Sequence, residues 1–306
     1  RIRDLGGAAA DRHLVRAAAE HAWLAGDRDM AGRLLARSLR EAPLDVAGWW
    51  TRTQFCRELG NTQGAASALR RALLLQPGDW QLACQTGMDL AAANERDAAI
   101  VWQRRALRLA PDEALPRSIL VEAVRAGVAE RQDSPLRRDL LDVTEKLRVR
   151  PRGLVRTLLI LIRHEPAFEE AAALLSSGHG PFDLLSRLID ESGLPRLLGF
   201  EILPDQQVEN VLAALRGRAL TKWSEDGLGE EAVDLLQALA AHCQLHEYCL
   251  AQTKEETAQL EQLRTAAISA DARGPLVLLA CYEPIGELWQ GRPDLSGRFE
   301  AFGRRH

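Results

Sequence analysis

Three stretches of the chain end alike: "ARSLREAP" closes at Pro43, "LRRALLLQP" at Pro77 and "QRRALRLAP" at Pro111, with 34 residues between successive prolines. A fixed period of about this length constrains the fold more than any local feature, because a unit so short buries its apolar face only by stacking on its neighbours. Further positions keep the same register. Ala31, Ala65 and Ala99 occupy one phase, and Ser38, Ala72 and Ala106 a second. Gly26, Gly60 and Asn94 fill a third, where a turn between two helices needs a residue tolerant of positive φ.

This pattern resembles the tetratricopeptide repeat. The resemblance implies two antiparallel helices per unit, small residues where they cross, and a proline ending the second helix. Trp49 matches the family's tryptophan in the first helix, while Val15 and Ala83 stand at that phase in the adjoining units. By the family's phase, the first helices line a groove that receives a protein or peptide. Its groove-facing positions would be Arg16, Glu20 and Trp23, then Trp50, Gln54 and Arg57, then Gln81, Gln85 and Met88. Because Trp49 already fills the packing role, the adjacent Trp50 points about 100° away on a helix, either into the groove or against a loop.

The array is expected to continue less regularly to about residue 177. Residues 115–151 read as another helix pair with an insertion at "AERQDSP", and "LVRTLLILIRHEPAFEEAAALLSS" reads as one more, with Pro166 between its helices. Beyond "SSGHGPFD" the period disappears. Helical stretches there break at Gly193-Leu194-Pro195 and at Leu203-Pro204-Asp205, with Asp205 placed as an N-cap. Thr253 and Glu256 have the spacing of a capping box. "PLVLLACY" reads as helix or strand.

One segment, "HCQLHEYC" at 242–249, gathers residue types that bind metals or act as nucleophiles. On a helix, His242 and His246 lie one turn apart, with Cys249 further along the same face. The rise from 242 to 249 is about 10 Å at 1.5 Å per residue, whereas zinc ligands sit about 2.0–2.3 Å from their ion. The three therefore do not share one ion, and Cys243 stands where a zincin needs glutamate. No metal is expected, and the reading favours an amphipathic helix with polar groups on its outer face.

Charge separates the two halves: residues 1–160 sum to +6 and 161–306 to −10, giving the net −4. That balance argues against nucleic acid and fits contact of the first half with an acidic partner or with the second half. Lysine occurs only at Lys146, Lys222 and Lys254, an arginine bias typical of a GC-rich bacterial genome. The five cysteines (Cys56, Cys84, Cys243, Cys249, Cys281) show no C-x-x-C pair, so free thiols in a reducing, cytoplasmic setting are expected. No apolar run reaches the length of a membrane helix.

The segments "LQALAAHCQLHEYCLAQTKEE" and "LLACYEPIGEL", preceded by "FEILPDQQVENVLAALRGRAL", resemble a regulatory region in bacterial proteins where tetratricopeptide repeats precede a class I S-adenosylmethionine (SAM)-dependent methyltransferase domain. There the first segment reads like A-x-Q-C-F-x-N-E-Y-V and the second like A-C-Y-x-P-L. Cys243, Glu247 and Tyr248 match the first motif, and Cys281, Tyr282 and Pro284 the second. Gln244 replaces an aromatic and His246 an asparagine. Glu247 and Tyr248 read either as a contact surface or as a buried hydrogen-bonded pair.

The expected organisation is all-α: a tetratricopeptide-like hairpin superhelix over 1–177, a second helical module over 178–290 and a loose tail over 291–306. The glycine-rich turn that holds SAM in such enzymes is missing from this stretch of sequence, so the cofactor is expected only if a catalytic domain follows. The resemblance thus implies a noncatalytic protein-binding or regulatory portion of a methyltransferase system, with a methyltransferase domain in cis as one partner and a protein in the groove as another. A stand-alone scaffold unconnected with methylation is the alternative.

Overall fold

The structure, a computed structural model, describes residues 2–125, 132–147, 154–199, 202–269 and 273–285. The chain divides into two compact units, 1–126 and 127–306. The division falls just before the insertion at "AERQDSP", and residues 126–131 lie outside the described residues, as does the stretch 286–306.

The first unit is a run of helical hairpins. Its described helices are α1 (Ile2–Leu24), α2 (Arg28–Glu41), α3 (Val46–Glu58), α4 (Thr62–Leu75), α5 (Trp80–Ala92), α6 (Arg96–Leu109) and α7 (Ala114–Arg125). The 34-residue period is written into their ends. Gly26, Gly60 and Asn94 turn each hairpin with φ of 84°, 70° and 63°. Asp27 caps α2 by accepting from the Met30 N–H at 2.9 Å, and Asn61 caps α4 from Gly64 at 2.8 Å. Before each proline the chain leaves the α region, with ψ of 74°, 74° and 71° at Ala42, Gln76 and Ala110, as proline's ring requires of its predecessor.

Small residues let the two helices of a hairpin close together. Ala31, Ala65 and Ala99 are no more than 3% exposed, and Ser38, Ala72 and Ala106 are fully buried. In the third hairpin Gly87 of α5 faces Gln103 of α6, whose amide donates to the Cys84 carbonyl at 2.9 Å. Trp49 packs on the clusters before and after it, with its indole N–H donating to the Pro43 carbonyl at 2.8 Å. This is a tetratricopeptide-like array.

The second unit is helical too: α8 (Ser134–Leu147), α9 (Leu154–Arg163), α10 (Pro166–Ser176), α11 (Phe182–Ser192), α12 (Gln206–Asp226), α13 (Glu230–Leu245), α14 (Lys254–Ser269) and α15 (Arg273–Leu279). Pro166 starts α10 at its first turn, where its missing N–H is harmless. Gly193 ends α11 with φ of 76°, and Asp205 caps α12 by accepting from the N–H groups of Gln207 and Val208, both at 3.0 Å. Thr253 and Glu256 exchange the two hydrogen bonds of the capping box at 3.1 and 2.6 Å. "PLVLLACY" is helical through Leu279, and no strand occurs among the described residues.

Arg137 of α8 and Glu165, the N-cap of α10, form a buried ion pair at 3.2 Å. The guanidinium also donates to the carbonyls of Glu191 and Ser192 at the end of α11. One charge thereby ties three helices in a region with no repeat register.

Candidate functional site

The open face of the first unit is carried by α1, α3 and α5, since the opposite side of each helix is occupied by packing against α2, α4 and α6. Along it runs a series of contacts joining each first helix to the next. Arg16 pairs with Asp45 at 3.1 Å and lies 3.7 Å from Glu20, which accepts from the Thr51 hydroxyl at 2.9 Å. Trp23 stacks on Phe55 with ring centres 4.0 Å apart, and its indole N–H donates to Glu58 at 2.6 Å.

Further along, Arg57 lies over the Trp50 ring at 5.5 Å and pairs with Asp89 at 2.5 Å. Asp89 also accepts from the Gln85 amide at 3.3 Å. Trp50 is half-buried and packs on the cluster of Leu69, Ala72, Leu73 and Leu82. Met88 is 47% exposed, Gln81 is exposed and Gln54 half-buried; none of these three side chains has a hydrogen bond among the described residues.

The nine expected positions belong to α1, α3 and α5, with Trp50 turned partly onto the cluster of Leu69, Leu73 and Leu82. Their partners were missed: the counterions Asp45 and Asp89 sit 29 and 32 residues after Arg16 and Arg57, and the hydroxyl donor Thr51 sits 31 after Glu20. A sign-alternating pair just short of one repeat period is the signal that would have found them. Partly exposed pairs of this kind contribute about 0.2–1 kcal/mol each. They order the face more than they stabilise it.

The second unit holds a buried polar node. Arg216 of α12 is 1% exposed. Its guanidinium donates to the Ala251 carbonyl at 2.7 Å and the Cys281 carbonyl at 3.4 Å, lies 3.5 Å from Glu256, and covers the Tyr282 ring at 4.2 Å. The Tyr282 hydroxyl donates to Glu256 at 2.7 Å. Burial and this carboxylate push the phenol's pKa up, and burial, with Cys243 second and Arg216 opposing, pushes Cys281 well above its ordinary value. Cys243 is pushed up to about 11 by burial, against a partial pull from Arg216.

Of the motif residues, Cys243, Cys281 and Tyr282 therefore gather around Arg216. The buried hydrogen-bonded pair is Tyr282 with Glu256, not Glu247 with Tyr248. Glu247 is exposed and Tyr248 half-buried, and neither side chain has a hydrogen bond among the described residues. Pro284 is exposed.

The segment 242–249 is not a continuous helix. α13 ends at Leu245, His246 is its C-cap, and Glu247 and Tyr248 both take positive φ, 50° and 60°. Its outer face is also not where all the polar groups lie: His242 is fully buried, with neither ring nitrogen hydrogen-bonded among the described residues. The His246 ring lies 4.1 Å from it, and the Nε2 of His246 accepts from the Leu203 N–H at 3.3 Å. Burial, and secondarily His246, lowers the His242 pKa to about 4. A neutral imidazole beside a thiol whose pKa is raised is the opposite of an activated nucleophile pair. No three histidine, cysteine or carboxylate side chains converge as metal ligands among the described residues.

No protein-family model matches the chain, and no curated protein matches its sequence. Among solved structures it is similar to PilW, a widely conserved type IV pilus biogenesis factor, with 14% identity and a TM-score of 0.35 over 88% of this chain and 98% of that one. A likeness of that size leaves function to the residues themselves. No described helix is long and apolar enough to cross a membrane.

Proposed function

We propose that the chain is a protein-binding scaffold whose first unit takes a peptide or helix of another protein against the α1–α3–α5 face. The observation that carries this reading is the pre-ordered row running from Arg16–Asp45 to Arg57–Asp89, which leaves Gln54, Gln81 and Met88 available beside rigid neighbours that include the half-buried Trp50. Aromatic and arginine side chains held in place beforehand lose little entropy on binding and dominate interface energetics.

The finer reading makes this scaffold the noncatalytic part of a bacterial SAM-dependent methyltransferase system. The groove recruits a protein substrate, and the second unit contacts the catalytic domain, which would itself bind SAM. The convergence of Cys243, Cys281 and Tyr282 on Arg216 supports it, since these are three of the residues that carry the resemblance.

A photo-crosslinking amino acid placed at Gln54 or Met88 in the source cells tests both. One dominant protein partner is expected from these sites, and a methyltransferase or its substrate on the finer reading. Crosslinks no stronger than those from Asp112, in the turn before α7, would sink the groove; a strong partner unconnected with methylation would leave the scaffold and remove the finer reading.

A further inference from the structure

The second helices of the hairpins carry an unbalanced charge. Their inward sides are set by Ala31, Leu35 and Leu39 in α2, Ala65, Leu69 and Leu73 in α4, and Ala99, Gln103 and Leu107 in α6, all buried. The opposite side of each helix is one stripe, because positions i, i+3, i+4 and i+7 share a face. In the three repeats that stripe reads Arg33, Ala36, Arg37, Arg40; then Ser67, Arg70, Arg71, Leu74; then Val101, Arg104, Arg105, Arg108. Eight of these twelve positions are arginine and none is acidic, in a chain where arginine makes up 36 of 306 residues (39 basic residues less three lysines). The bias is therefore positional and not merely compositional.

Three acids flank this stripe, Asp29 and Asp97 in the first turns of α2 and α6 and Glu41 at the end of α2, and others of this unit sit elsewhere. Asp27, Asp45, Asp79 and Glu95 are helix N-caps, and Asp45 and Asp89 neutralise Arg16 and Arg57 on the other face. On the outer stripe Arg37 pairs with Glu41, and Arg105 covers Trp102 and donates to the Pro77 carbonyl. Arg33, Arg40, Arg70, Arg71 and Arg108 are exposed and have no hydrogen bond or ion pair among the described residues. Between them protrude Leu74, 75% exposed, and Val101, 60% exposed.

We propose that this outer face of α2, α4 and α6 is a second docking surface, separate from the groove, for an acidic amphipathic helix of another protein. Carboxylates on such a helix meet the unpaired arginines, bidentately where geometry allows, and its apolar side chains cover Leu74 and Val101. Single-stranded nucleic acid fits less well, since the stripe offers aliphatic teeth where bases need exposed aromatic rings. A lipid surface fits less well too, as two apolar side chains bury little area in a bilayer.

The test uses the whole chain and two labelled synthetic helices of equal charge, one with a glutamate face interrupted by leucines and one with alanine in their place, read by fluorescence anisotropy. The leucine peptide should bind more tightly, and its affinity should fall at least tenfold between about 50 and 300 mM salt. Arg70→Glu with Arg71→Glu should weaken it tenfold or more, and Leu74→Ala should weaken the leucine peptide alone. Met88→Glu, on the other face, should leave binding unchanged. The proposal is overturned if the Arg70/Arg71 variant binds normally, if Met88→Glu is the one that fails, or if an oligonucleotide or phosphatidylglycerol vesicles bind more tightly than the peptide. Salt-sensitive self-association in sedimentation without peptide binding would overturn it in favour of a second copy of the chain.

Discussion

The guanidinium carbon of Arg216 lies 4.2 Å from the centre of the Tyr282 ring, and the hydroxyl of that ring donates to Glu256 at 2.7 Å, which in turn faces Arg216 at 3.5 Å. The three groups close a triangle linking α12, the capping box of α14 and the residues after α15. Each member satisfies a charge or donor that the others would leave buried.

Removing the arginine alone strands a buried carboxylate. Arg216→Met should therefore cost about 3–5 kcal/mol in the stability of the second unit, whereas Tyr282→Phe, which removes one donor, should cost about 1–3 kcal/mol. Adding Glu256→Leu and Tyr282→Phe to Arg216→Met should recover part of the loss, because no unpaired charge or stranded hydroxyl then remains, although the Thr253 N–H loses its capping-box acceptor. Denaturant titration followed by the fluorescence of Trp223, at the end of α12, measures all three. Losses for Arg216→Met below about 1 kcal/mol would mean that the triangle contributes little.

Much of the first unit was legible because its information is local and repeated. Pro43, Pro77 and Pro111 mark helix ends, Gly26, Gly60 and Asn94 mark turns, and each repetition confirms the others. The second unit has no such redundancy. Arg216 shares the buried face of α12 with Val208, Leu212, Leu215 and Ala219, yet its partners lie 35 to 66 residues away along the chain, at Ala251, Glu256, Cys281 and Tyr282. Helical spacing shows that Arg216 faces inward; only the tertiary fold shows what receives it. His242 was misplaced for a similar reason. It follows Leu235 and Leu239 at i+7 and i+3, on the buried side, but its residue type suggested the surface.

The burial of His242 has a consequence for acid stability. Its pKa is lowered to about 4 in the fold, whereas an unfolded histidine titrates near about 6.5. Above about pH 6.5 the imidazole is neutral in both states and this stability is fully present. As pH falls from there toward 4 the unfolded chain gains a proton that the folded one does not, and up to about 3 kcal/mol is lost. His242→Leu removes the titration and two unsatisfied nitrogens. The variant should match or exceed the native chain at pH 7.5, and its advantage should widen steadily in denaturant titrations down to pH 5. A constant difference across that window would place the proton elsewhere.

Two glycines in the first unit should respond oppositely to alanine. A Cβ at Gly87 would meet the Gln103 amide at 2.3–2.7 Å, in a helix crossing with no spare room. Gly87→Ala should displace Gln103, weaken its bond to the Cys84 carbonyl and cost about 1–3 kcal/mol. A Cβ at Gly32, exposed within α2, would meet nothing within 4 Å. There alanine should stabilise by about 0.5–1 kcal/mol through helix propensity. Thermal melts of the two single variants should move in opposite directions, and a fall in both would mean that α2 is not helical around Gly32.

The turn after α13 offers the reverse substitution. Glu247 and Tyr248 are consecutive residues at φ of 50° and 60°, a conformation costing a non-glycine residue about 1–2 kcal/mol. The exposed Glu247 side chain has no hydrogen bond or ion pair among the described residues that would offset that strain, while the half-buried Tyr248 ring retains partial burial. Glu247→Gly should therefore relieve strain at no loss of packing, offset in part by the greater freedom of the unfolded chain, for a net gain of about 0.5–1 kcal/mol. Tyr248→Gly should destabilise, because the buried part of the ring outweighs the same relief. Hydrogen exchange of the Tyr248 amide, which donates to the Cys243 carbonyl at 2.7 Å, reports on this turn directly: slower exchange in Glu247→Gly is expected. Faster exchange would mean that the glutamate holds the turn through a contact outside the described residues.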